Sequence, residues 1–202
     1  MTNTCTQASE WVIYSQDEEH LAFHYQNFLS SLNISSNTRN EDRWKESMSK
    51  EAAAQAKVGV DIGTLWKAFS EDLKLLLPKV VPNFIKDAEV VEGDGGPGTV
   101  FLFSFSTDAS TVRFQKEKIV DFDETLHQIG LEVIEGGPLN HGFTLYKTVF
   151  RLTKTGEQET LIDVKVVYET EIAEPHMPSG TVKKVLVFVG CLESFLLNGN
   201  AS

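Results

Sequence analysis

Val90-Val91-Glu92-Gly93-Asp94-Gly95-Gly96-Pro97-Gly98-Thr99-Val100-Phe101-Leu102-Phe103-Ser104-Phe105-Ser106 is the stretch on which the fold turns. Its first half is a turn: Gly93, Gly95, Gly96 and Gly98 supply positive backbone φ, and Pro97 cannot continue a regular element. Its second half alternates, with Phe101, Phe103 and Phe105 on one face and Leu102, Ser104 and Ser106 on the other, the period of a half-buried strand. A run of glycine amides can cradle an anion. Phosphate-loop and dinucleotide fingerprints, however, need a helix after the glycines, and the former also a Lys-Ser or Lys-Thr pair; here a strand follows. The loop Gly93, Asp94, Gly95, Gly96 and Gly98 therefore reads as a tight turn between two strands.

The same grammar extends in both directions. Downstream, strands are predicted over 99–106, 111–121, 125–134, 142–153 and 159–170, separated by Thr107-Asp108-Ala109, Asp121-Phe122-Asp123, Gly136-Gly137-Pro138 and Thr155-Gly156. Upstream, a strand over 84–92 is preceded by Leu65, Trp66, Phe69, Leu73, Leu76 and Leu77 at helical spacing, interrupted by Pro78 and Pro82, which predicts two short helices. A first strand covers 54–60. At the other end, Val182, Val185, Leu186, Val189, Leu192 and Leu196 share one face of a predicted helix over 181–197. The layout is α+β: a seven-stranded antiparallel curved sheet wrapping a long C-terminal helix, with two short helices between strands 1 and 2.

Residues 1–51 lack the dense periodicity seen later and read as an N-terminal extension, partly disordered or carrying one amphipathic helix with Leu21, Tyr25, Phe28 and Leu32 in a stripe. Residues 52–198 form the single domain, and 199–202 a tail. The chain of 202 residues has a net charge of -11, which argues against nucleic acid and anionic membrane as partners. The N-terminus lacks a basic segment followed by an apolar run, and Val185–Leu192 is too short to span a bilayer, so a cytoplasmic protein without membrane insertion is expected. Cys5 and Cys191 have no metal-ligand spacing, and no metal or cofactor is expected.

Two strings, Val90–Thr99 and Val133-Ile134-Glu135-Gly136-Gly137-Pro138, lie in the same order as the glycine signatures of the plant Bet v 1-like, pathogenesis-related class 10 proteins of the START-like superfamily. Leu65-Trp66, Leu77-Pro78, Val81-Pro82, Lys116-Glu117-Lys118 and Tyr168 add to the resemblance, which spans about Lys57 to Leu197. It implies a helix-grip fold with an internal cavity, and it sets which strand parity faces inward. The implied ligand-binding residues are Phe101, Phe103 and Phe105; Arg113, Gln115 and Glu117; His127, Ile129 and Leu131; Tyr146, Thr148 and Phe150; Val166 and Tyr168; and, from the helix, Val185 and Val189. Such a lining is apolar and aromatic with a few polar groups, as small-molecule sites are.

Glu117 stands out within that set. A carboxylate among aromatic side chains must be protonated, paired or bound to a ligand donor, and Arg113 is the nearby partner of opposite charge on the same face. The sequence is similar to norcoclaurine synthase-like members in having Glu117, but Gln115, Ile129 and Thr148 stand where those enzymes carry Tyr, Lys and Asp. The leading expectation is binding of a small apolar or aromatic plant metabolite or hormone, for transport, storage or signalling in defence, by a monomer or weak homodimer. The alternative is a biosynthetic enzyme with a non-standard site centred on Glu117, candidate acid or base; a ribonuclease ranks last, because the acidic charge and the lack of a suited His or Lys pair disfavour it.

Overall fold

The computed structural model describes residues 49–106, 112–173 and 175–199. The N-terminal stripe Leu21, Tyr25, Phe28 and Leu32 and the turn Thr107-Asp108-Ala109 lie outside the described residues.

Seven strands form one antiparallel sheet: β1 (Lys50–Val58), β2 (Ile85–Glu92), β3 (Val100–Phe105), β4 (Phe114–Asp123), β5 (Gln128–Gly136), β6 (Phe143–Gly156) and β7 (Glu159–Thr170). Their spatial order is β1-β7-β6-β5-β4-β3-β2. The chain runs as a meander from β2 to β7, and β1 pairs with the last strand of that meander, Ala54 opposite Val164 and Ala56 opposite Ile162. Between β1 and β2 lie α1 (Ile62–Ser70) and α2 (Leu73–Val80); after β7 comes α3 (Met177–Gly199). The fold is the expected α+β arrangement. No helix among the described residues is long and apolar enough to cross a membrane.

Local chemistry explains these elements. Asp61 caps α1 by accepting from the Thr64 amide at 3.0 Å, and Leu65, Ala68 and Phe69 form the buried face. Phe69 ties three elements together, with its ring 4.9 Å from Phe150 of β6 and 6.1 Å from Phe188 of α3. Ala54 and Ala56 present small side chains to α3, which packs on β1 and β7. Glu193 of α3 then accepts from the Gly59 amide at 2.6 Å, pinning the helix to the end of β1.

The sheet bends because its registers slip. Irregularities occur in the β2–β3, β4–β5 and β6–β7 pairs, and a bulge both bends a strand and increases its twist. One of them, between Phe143 and Leu145, leaves Phe143 buried and Thr144 exposed.

β1 runs Lys50–Val58 instead of 54–60, and β6 continues through the expected Thr155-Gly156 turn to end at Gly156. Three further boundaries differ from expectation for identifiable reasons. Pro78 does not end α2. It forgoes a single bond to the Lys74 carbonyl, and the chain leaves helical backbone at Val81, where the following Pro82 disfavours it. α3 begins at Met177, four residues early, because Pro178 sits in its first turn, where a missing N–H costs nothing. Asp121-Phe122-Asp123 is ladder, not turn. Asp121 pairs with Lys147 of β6 at 3.0 Å, and the reversal is made instead by 124–127, where Asp123 accepts from the Leu126 amide at 2.9 Å.

A candidate ligand cavity

A cavity of about 480 Å³ lies between the inner face of the sheet, α2 and α3. β3 contributes Phe103 and Phe105, β4 contributes Gln115 and Glu117, and Leu131, Thr148 and Phe150 follow from β5 and β6. Opposite them stand Leu73 and Leu77 of α2, then Val81, Phe84 and Ile85 on the way into β2. α3 supplies the remaining side with Met177, Thr181, Lys184, Val185 and Phe188. The chamber exists because the bent sheet and the two helices diverge around β4, where no large side chain fills the gap: Gln115, Glu117 and Thr148 are the inward residues there.

Glu117 is the charged group on the sheet side of this cavity. Its carboxyl accepts a hydrogen bond from Gln115 Nε2. Burial pushes its proton affinity up from an ordinary 4.5 to about 7, with the Gln115 bond acting in the opposite sense. Close by, Tyr146 and Thr181 share a 2.6 Å hydroxyl–hydroxyl bond that joins β6 to the cavity side of α3. Burial, assisted by the Glu117 and Tyr168 charges, pushes the Tyr146 phenol up to about 12, although the Thr181 bond opposes it. Burial therefore makes negative charge costly on both groups, which leaves the Tyr146 phenol neutral and brings the Glu117 carboxyl to titrate near neutral pH.

Of the residues expected from the sequence, Phe103, Phe105, Gln115, Glu117, Leu131, Thr148, Phe150 and Val185 border the cavity. Others point inward but meet side chains instead of space. Phe101 stacks on Phe103 with centroids 5.8 Å apart, and Ile129, Val166 and Val189 are fully enclosed in the core. Tyr146 and Tyr168 bury their rings against Phe143, at 5.1 and 5.9 Å.

Two expectations are corrected. Arg113 is exposed, and the side chain bonded to Glu117 is Gln115. Arg113 precedes the first ladder residue of β4 and a guanidinium keeps its hydration best outside, so only its carbonyl joins the sheet, accepting from the Phe105 amide. His127 is not a strand residue: it takes φ 48° in the turn after β4, with its ring edge-on to Trp66 at 5.4 Å. The glycine loop does not border the cavity. Gly93, Gly95 and Gly98 have positive φ, Asp94 accepts from the Gly96 amide, and buried Thr99 accepts from the Gly95 amide at 2.9 Å. Sequence reasoning missed the contributions of α2, the Phe84-Ile85 entry to β2, and Met177, Thr181, Lys184 and Phe188 of α3. The helical periodicity of those segments showed an apolar face without showing what it faces.

Known proteins fit this geometry. The chain is 34% identical over 128 residues to the major strawberry allergen Fra a 1-E of Fragaria ananassa, covering 61% of this chain and 79% of that protein. It is 33% identical over 135 residues to the major allergen Mal d 1 of Malus domestica, covering 65% and 84%. Among solved structures, ginseng major latex-like protein 151 from Panax ginseng superposes with a TM-score of 0.65 at 21% identity, over 73% of this chain and 97% of that one. Norcoclaurine synthase from Thalictrum flavum, in complex with dopamine and hydroxybenzaldehyde, superposes with a TM-score of 0.66 at 20% identity, over 82% and 96%. These likenesses at low identity speak to the fold alone. The sequence profile of one family matches residues 47–199, and on that match the chain belongs to the pathogenesis-related protein Bet v 1 family.

Proposed function

We propose that this protein binds a small, largely apolar metabolite in the cavity, with Glu117 as the polar group that orients it. The observation that carries the reading is the chamber of about 480 Å³ walled by Leu, Val, Ile, Met and Phe side chains, with Glu117 the acidic side chain among them. That volume and composition suit a ligand of drug-like size, and membership in the family supports a ligand-binding role. A plant metabolite or hormone carried or sensed in the cytoplasm is the specific form of this proposal, and binding without chemistry is its mechanism. An apolar fluorescent probe is expected to bind with a Kd of about 1 μM and to be displaced by the natural ligand. Val185→Trp, which adds an indole to the cavity side of α3, should weaken probe binding by about tenfold or more while the protein stays folded; unchanged binding refutes the site.

A second reading is favoured by one observation, the carboxyl of Glu117 held at about 7, where an acid or base is most useful. It makes the chain a biosynthetic enzyme centred on Glu117. Gln115, Ile129 and Thr148 provide no second proton-transfer group, and Ile129 is enclosed in the core. Product formed from an amine and an aldehyde by the wild type, and not by Glu117→Gln, would place this reading first.

A further inference from the structure

We propose that Gly137 is a positioning residue for ligand recognition: its missing side chain forms the seat that holds the Gln115 amide against Glu117, so that the carboxyl meets a ligand N–H or O–H as an acceptor. This deepens the binding reading above and rests on it.

The geometry is specific. β4 and β5 pair Gln115 with Gly136, which places Gly137 beside the Gln115 side chain at the point where β5 ends. A Cβ on Gly137 would lie 3.1 Å from Gln115 Cβ and 3.3 Å from its Cδ, and closer still to Oε1. Gln115 thus occupies the space that any other residue at 137 would fill. With Oε1 lodged over Gly137, the Nε2 end is directed at Glu117, to whose carboxyl it donates. Gly137 also has φ 48° and is buried, as is Pro138, which itself borders the cavity. The seat is therefore a rigid corner of the cavity wall. An amide N–H on one carboxyl oxygen favours the ionised, accepting form against the opposing effect of burial. A ligand head that donates is then preferred over one that only accepts. The other titratable or charged groups nearby are Tyr146 on β6, Lys184 on α3, and Arg113 and His141, which line a small hollow that Gly137 also borders.

The test follows the Glu117 carboxyl by ¹³C NMR from pH 5 to 9, with its resonance assigned by loss in Glu117→Gln. The wild-type midpoint near 7 should rise in Gln115→Leu, rise equally in Gly137→Ala, and rise no further in the double variant. Gly142→Ala is the control: Gly142 also has positive φ, 84°, but its Cβ would meet Ile172 instead of the cavity wall, so the midpoint should not move. In parallel, wild type should prefer 2-naphthol to 2-methoxynaphthalene by about ten- to a hundredfold, the range of one charged hydrogen bond, and both cavity variants should lose that preference. An unmoved midpoint in Gly137→Ala, or an equal shift in Gly142→Ala, overturns the proposal. If Gly137→Ala does not fold, Gln115→Asn withdraws the amide from its seat without backbone strain, and an unmoved midpoint there overturns it equally. A shifting midpoint in a protein that binds neither naphthalene would overturn the ligand reading while leaving the seat's control of Glu117 established.

Discussion

Replacing Glu117 with Gln should stabilise the protein, and only at higher pH. The side chains are nearly isosteric, and the Gln115 amide can still donate to the new amide oxygen, so the substitution removes the ionisable group and little else. In the folded protein the carboxyl titrates at about 7, against 4.5 for a free side chain, because burial penalises its charge. The folded state thus holds a proton that the unfolded state releases, so stability falls as pH rises between the two values. The contribution of Glu117 is fully present below pH 4.5, shrinks through pH 7 and is gone above it. The gap between 4.5 and about 7 corresponds to about 3 kcal/mol. Glu117→Gln does not experience this loss. At pH 5 the variant should lead by only about 1 kcal/mol, and at pH 8 it should be more stable by up to about 3 kcal/mol, or on the order of 5–10 °C for a domain of this size. Urea or thermal unfolding of both proteins at several pH values between 4.5 and 8.5 is the assay. Other acidic groups titrate in both proteins and cancel in the difference. A difference that is flat with pH, or that favours the wild type at pH 8, would refute the claim that this carboxyl lies in a destabilising environment.

Two further outcomes follow from the geometry. Tyr146→Phe breaks the 2.6 Å bond to Thr181 and should cost about 1 kcal/mol in urea unfolding, and the wild-type tyrosinate absorbance should show one group still protonated at pH 11 that the variant lacks. Thr99→Val removes the acceptor for the Gly95 amide in the glycine loop and should cost about 1–3 kcal/mol while leaving probe affinity unchanged, because the loop does not border the cavity.

Much of the fold was legible because its signals are local. The Phe101, Phe103 and Phe105 alternation marks an inner face, and Glu159–Thr170 is bounded as its own alternation of apolar and polar residues predicts. Boundaries failed where a residue that usually breaks structure occupies a position that tolerates it, as with Pro78 in α2 and Pro178 in the first turn of α3. The cavity was less legible for a different reason. Period-two alternation says that Phe101, Phe103, Ile129 and Leu131 all point inward, but whether an inward side chain meets space or another side chain depends on what stands across from it. Phe103 and Leu131 face the gap left by α2 and α3, whereas Phe101 and Ile129 do not, and that difference is set by residues far away in sequence.

The partner of Glu117 shows how much rides on one such long-range choice. Pairing by charge selects Arg113, and a guanidinium beside a buried carboxylate holds it ionised, well below its ordinary range. The structure leaves Arg113 in solvent and gives Glu117 the neutral amide of Gln115, so burial wins and the proton affinity moves up instead of down. Arg113, ahead of the β4 ladder, keeps its hydration outside, whereas Gln115 lies beside Gly137, twenty-two positions on, whose missing Cβ leaves room for an amide at the cavity wall. A carboxyl locked in an ion pair would be a structural element, closed to ligand. A carboxyl titrating near neutrality, with one neutral donor, can exchange its proton or accept a ligand's hydrogen bond at small cost. That readiness is why the second glycine signature, remote from Glu117 in sequence, belongs to the chemistry of the cavity as much as to the turn it makes.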